Sequence, residues 1–157
     1  MKLFVRLSLE PGDMFDRIQF GTLEMDDAAF KAASDEDCEK ILKRLSDNFT
    51  RESGRPVAEA EFISEDTMKA YDQLGALVDG CGILDKEYTI YLKVMFVDDD
   101  IAFPVAIPSA RSSGSMTPDE ISTICDLVST ICQNSENSNL VDEVLLSNRS
   151  EYEALYL

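Results

Sequence analysis

Apolar residues recur at every second position through Tyr88, Ile90, Leu92, Val94 and Phe96. In a strand that period places all five side chains on one face. The opposite face, Thr89, Tyr91, Lys93, Met95 and Val97, is mixed, which suits a strand inside a sheet. Asp98, Asp99 and Asp100 interrupt the run, and aspartate tolerates the backbone conformations of a tight turn. Alternation resumes through Ile101, Phe103, Val105 and Ile107. Residues 87–108 therefore predict a hairpin around which the remaining chain is organised. Pro104 has no N–H to give a ladder, so the returning strand is expected at an edge or a bulge.

The same two periods divide the rest of the chain. Residues 2–9 alternate cleanly and predict a strand, followed by the turn signal Pro11-Gly12-Asp13. Residues 15–25 predict a second strand, bent at Gly21, and Asp26-Asp27 start a short helix through Phe30 and Ala33. Ser34, with acids in the turn behind it, is a helix start. Cys38, Ile41, Leu42, Leu45 and Phe49 continue it as an amphipathic stripe to about Glu52. Gly54-Arg55-Pro56 breaks that helix, and residues 57–63 predict a third strand. Ser64 caps a further helix, lined by Met68, Tyr71, Leu74 and Val78 and ended by Gly80 and Gly82.

After the central hairpin, residues 108–116 read as a flexible loop. Thr117, Pro118 and Glu120 then form a strong helix start, and Ile121, Ile124, Cys125, Val128, Ile131 and Cys132 make its buried stripe. Residues 133–139 read as a polar loop and 140–146 as a helix. Residues 151–157 fit a helical turn or a terminal strand equally well. No internal repeat is visible. The expectation is a single α+β domain: a mostly antiparallel sheet of about five strands, covered by three to four helices.

Composition narrows the chemistry. There is no histidine, so the commonest general base and every Ser-His or Cys-His nucleophile are missing. The glycines do not group into a phosphate-cradling loop. The three aspartates at 98–100 lack the alternating ligands, central glycine and terminal glutamate of a calcium loop. Cys38, Cys81, Cys125 and Cys132 have no zinc or redox spacing; Cys38, Cys125 and Cys132 fall on apolar helix faces, where thiols pack as small hydrophobes, and Cys81 is the more accessible one. Glu59 and Glu61 share one side of a strand and are the most site-like carboxylate pair. Neither metal nor cofactor is expected, and no enzymatic activity. No apolar run is long enough to span a membrane and residues 1–13 lack a signal-peptide pattern, which predicts a cytoplasmic location.

Charge is the strongest compositional signal. Thirty-one acidic residues against fourteen basic give a net charge of −17 over 157 residues, which repels nucleic acid and anionic membrane and attracts basic proteins. Lys40, Lys43, Arg44 and Arg51 are interleaved with acids and read as a solvated face. From Met95 onward only Arg111 and Arg149 are basic, against eleven acids. The candidate partner-binding residues are therefore Asp98, Asp99, Asp100, Asp119, Glu120, Asp142 and Glu143. Carboxylates at such density, on one side, could imitate the phosphate row of a duplex. The first expectation is a non-enzymatic inhibitor that occupies the basic nucleic-acid groove of a nuclease or another DNA- or RNA-acting protein, of the phage anti-defence or immunity type. The alternative is an acidic dimeric chaperone or adaptor that holds a partner polypeptide by a hydrophobic groove or an edge strand.

Overall fold

The computed structural model describes residues 1–10, 14–79, 86–133 and 140–156. Among them the two periods become two three-stranded antiparallel sheets and five helices. The predicted turn at Pro11-Gly12-Asp13, the helix-ending Gly80 and Gly82, Cys81 and most of the polar loop at 133–139 lie outside the described residues. Strand β1 (Lys2–Leu9) is the centre of the first sheet, between β2 (Ile18–Glu24) and β3 (Val57–Ile63). Helices α1 (Asp27–Ala32) and α2 (Asp35–Ser53) connect β2 to β3, and α3 (Glu65–Val78) follows. Strand β4 (Tyr88–Phe96) is the centre of the second sheet, between β5 (Phe103–Ser109) and β6 (Val141–Leu146). Helix α4 (Pro118–Gln133) connects β5 to β6, and α5 (Arg149–Tyr156) closes the description.

Both halves thus use one topology, a hairpin, a helical connection, a third strand and a helix. In each, the first strand lies in the middle. The repeat is one of topology, because the helices bury different faces: α4 buries Ile124, Leu127, Val128, Ile131 and Cys132, whereas no residue of α2 is fully buried.

Local signals set the helix ends. Ser34 Oγ accepts the Asp37 N–H at 3.1 Å while the Asp37 carboxylate accepts the Ser34 N–H at 3.2 Å, a reciprocal cap for α2. Gly54, at φ 72°, ends α2 in the left-handed conformation that costs glycine least. Helix α3 ends on Asp79, itself left-handed at φ 48°.

Two sequence readings are corrected. Residues 140–146 form a strand, not a helix: Val141 to Leu146 pair with β4, from Phe96↔Val141 to Leu92↔Leu146. Leu140 and Val144 imitate a helical i, i+4 step, but the β4 edge supplies ladder partners, and that tertiary pairing outweighs a short helical pattern. The α+β class and, roughly, the numbers of strands and helices stand, with six strands and five helices among the described residues, but the strands form two sheets rather than one. In addition, β2 begins at Ile18 rather than Phe15, the C-terminal segment resolves as helix α5, and the loop after β5 is pinned. Ser109 Oγ accepts the Arg111 N–H at 3.0 Å and donates to the Arg111 carbonyl at 2.6 Å, and Met116 is buried.

One hydrophobic cluster joins the halves. Tyr71, Leu74 and Val78 of α3 pack with Ile124, Val128 and Ile131 of α4, with Ile90, Leu92 and Val94 of β4, with Ile18 of β2 and with Phe15 just before it. Helices α3 and α4 are therefore a shared middle layer. Helix α5 lies on the opposite face of β4, where Tyr91 and Tyr152 rings stand 5.2 Å apart.

Candidate functional site

The seven carboxylates singled out in the sequence divide between two ends of the second sheet. Asp98, Asp99 and Asp100 form the β4–β5 tip, where the Asp99 N–H donates to the Phe96 carbonyl at 3.2 Å. The Asp99 carboxylate accepts the Ile101 N–H at 3.0 Å, the side-chain turn that explains aspartate here. Asp142 and Glu143 are exposed at the same end, because Glu143 pairs with Met95 and the Val97 N–H donates to the Leu140 carbonyl. The structure brings these five together.

Asp119 and Glu120 are elsewhere. The C-terminal residue of α4, Gln133, accepts the Val141 N–H through Oε1 at 2.8 Å, which fixes that helix end near the tip. Asp119 and Glu120 begin the same helix, roughly 20 Å away at 1.5 Å per residue. Glu120 already has partners: Arg111 grips its carboxylate at 2.5 and 3.1 Å, and the Thr117 N–H donates to it at 3.1 Å. The Arg111 hydrogen bonds, then the Thr117 N–H, hold the Glu120 carboxyl down to about 2. That arrangement organises the start of α4. Asp119 is exposed in the first turn.

Sequence reasoning did not find the apolar component of this end. Val97 (56 %), Ile101 (68 %), Phe103 (46 %) and Leu140 (64 %) are large hydrophobic side chains left in solvent beside the five carboxylates. Leu145 and Leu146 continue the apolar surface along β6. Of the large hydrophobics exposed among the described residues, only Met1 lies outside the second sheet and its flanks. Misreading 140–146 as a helix hid this surface; Val141 and Val144, β-branched and flanking two acids, were the available strand signal.

A groove of about 500 Å³ opens between β4, the tip and α5, lined by Met95, Ile101, Ala102, Ala154 and Leu155 with Asp100 at its rim. Lys93 and Glu151 pair across it at 3.6 Å. A 2.7 Å hydrogen bond from the Ser147 hydroxyl, and then the Lys93 ammonium, lower the Glu151 carboxyl below its ordinary value. Lys93 and Glu151 are thus already paired, and the groove walls are mostly apolar.

The carboxylate pair on β3 does not remain a pair. Glu59 is exposed, whereas Glu61 is buried and ion-paired with Arg6 of β1. The Arg6 guanidinium also donates to the Tyr71 hydroxyl, which donates to the Met14 carbonyl at 2.6 Å. Its charge reaches Cys132 on α4, partly offsetting the burial that pushes that thiol up to about 12. This network ties the first sheet to the middle layer. Among the described residues no group of three or more His, Cys, Asp or Glu could hold a metal ion, and no helix is long and apolar enough to cross a membrane. No protein-family model, curated protein or solved structure matches this chain, so the tip must be interpreted from its own geometry.

Proposed function

We propose that this protein is a non-enzymatic binding protein whose partner is a basic polypeptide, engaged at the tip end of the second sheet. One observation carries the reading: Asp98, Asp99, Asp100, Asp142 and Glu143 share that end with exposed Val97, Ile101, Phe103 and Leu140. Carboxylates steer a cationic partner over long range, and exposed apolar side chains supply the contact that salt does not screen. An interface needs both, since charge sets encounter and apolar burial sets lifetime.

The inhibitor of a DNA- or RNA-acting protein belongs within this reading, with a basic groove as the surface occupied. A pure duplex mimic fits the tip less well, because its row of charge would not be interrupted by valine, isoleucine and phenylalanine. The test compares two synthetic peptides of equal length and charge, one of lysine and serine, one of lysine and valine. Binding is measured at about 0.05 M and about 0.5 M salt. The apolar-bearing peptide is expected to bind more tightly and to keep more of its affinity at high salt. Equal affinities with equal salt slopes would favour the charge mimic, and no binding of either peptide would remove the proposal.

A further inference from the structure

The two edges of the second sheet are not equivalent, and the difference follows from the ladders. The Ser147 N–H donates to the Tyr91 carbonyl at 2.8 Å, in register with the pairs Leu92↔Leu146 and Lys93↔Leu145. Antiparallel ladders alternate, so Leu145 and Glu143 also turn their backbone groups toward β4, whereas Val144 and Leu146 turn theirs away from it. By the same alternation Ile90, Leu92 and Val94 face β5, and Pro104, Ala106 and Pro108 form its outer edge. Two of those three are prolines with no N–H to offer, a common protection of an edge. The β6 edge has no proline among these residues: Val144 and Leu146 keep both donor and acceptor on the side away from β4, where no described strand lies. Leu145 and Leu146, pointing to opposite faces, are 37 % and 46 % exposed.

Resting on the proposed basic partner, the geometry points to β6 as a strand-acceptor edge for an extended segment of that partner, added antiparallel. The acids and apolar residues of β6 specify the segment. Asp142, the extra residue of a bulge where Met95 pairs with Glu143 and Phe96 with Val141, stands next to Glu143, followed by Val144, Leu145 and Leu146. An antiparallel guest matches them with three apolar residues followed by two cationic ones, and opposite charges across a strand pair are stabilising. The main-chain bonds supply affinity and the side chains supply choice. A second copy of this chain fits poorly. Two-fold pairing centred on Val144 sets Asp142 against the other copy's Leu146 and Glu143 against its Leu145, and each copy brings a charge of −17.

The probe is a fluorescein-labelled peptide, Gly-Val-Ile-Val-Arg-Lys-Gly, titrated into the full chain and followed by anisotropy. N-methylation at its two valines, whose amides face Val144 and Leu146, is expected to weaken binding by at least roughly tenfold, the loss of about one good hydrogen bond. N-methylation at its isoleucine is expected to leave affinity within about threefold. Val144→Pro removes one outward donor without taking a hydrogen bond from the β4 ladder and is expected to weaken the unmodified peptide similarly, with circular dichroism unchanged and a lower melting temperature, because the Val144 side chain packs against the core. If both methylated peptides bind alike, the edge proposal is overturned while the basic-partner reading stands. If glutamine in place of arginine and lysine leaves affinity unchanged, the cationic part and the basic-partner reading fall together. Sedimentation equilibrium supplies the remaining check: a dimer abolished by Val144→Pro would overturn the proposal in favour of a second copy.

Discussion

The two halves share one topology and settle their interiors differently. The first places a charged pair, Arg6 and Glu61, within the sheet face that meets α3. The second fills the corresponding layer with Ile90, Leu92 and Val94, all fully buried. The outsides reverse that contrast. Among the described residues the first half exposes one large hydrophobic side chain, Met1, while the second exposes a string of them around an acidic tip. The first half still buries Leu3, Val5, Leu7 and Leu9 of β1, so the halves differ in the Arg6–Glu61 pair that one of them adds and in the apolar side chains that the other leaves exposed.

Breaking the polar network should have the largest effect. Arg6→Ala leaves the Glu61 carboxylate buried without its cation, and a loss of about 3–5 kcal/mol is expected in urea unfolding. The double replacement Arg6→Met with Glu61→Leu should recover most of that loss, because a matched apolar pair removes both desolvation penalties. Arg6 Nε is buried without a hydrogen-bond partner, so the native pair is not fully compensated to begin with. If the double variant is as unstable as the single one, the network holds the first half in a way that packing cannot replace.

On the apolar side of the comparison, Leu92→Ala removes a fully buried side chain at the centre of the second sheet. A loss of about 3 kcal/mol is expected from the same unfolding measurement, with no change in its dependence on pH. A smaller, pH-dependent effect is expected at the start of α4. Glu120 titrates at about 2 in the fold against an ordinary 4.5, so its grip on Arg111 stabilises the protein above the ordinary value and is lost as pH falls toward 2. The melting temperatures of the native chain and Glu120→Gln should therefore differ near neutral pH and converge between about pH 5 and about pH 2. A constant difference would remove the linkage. The smallest effect belongs to the tip. Replacing Asp98, Asp99 and Asp100 by asparagine keeps an acceptor for the Ile101 N–H and relieves like-charge repulsion, so stability should move by no more than about 0.5 kcal/mol. Binding of the cationic peptides should weaken, and a large loss of stability would make the aspartates part of the fold rather than of a surface.

Much of the architecture was legible because the decisive signals were local. The period-two run from Tyr88 to Phe96, the Ser34 cap and the Thr117-to-Glu120 start each specify their element within a few residues, and the structure has all three. What could not be read depended on partners distant in sequence. Val141 to Leu146 is a strand only because β4 offers an edge, and Glu61 is buried only because Arg6 lies opposite in the register. The carboxylates of the candidate surface were visible as residues, but their grouping was not. Asp142 and Asp98 come to the same end of the sheet because β6 pairs with β4, and Glu120 is held at the start of α4 by Arg111, neither of which a charge count can express.

The shared layer of α3 and α4 carries a consequence for the chain as a separable object. Helix α3 of one half packs against helix α4 of the other in one common core, so each half alone would uncover the apolar helix face that the other now covers. A chain severed between Asp79 and Lys86 would give two fragments of like topology, each needing the other to fold. Their recovery on mixing would behave as a second-order association, driven by apolar burial against the mutual repulsion of two acidic pieces, and added salt would hasten the reunion by screening that repulsion.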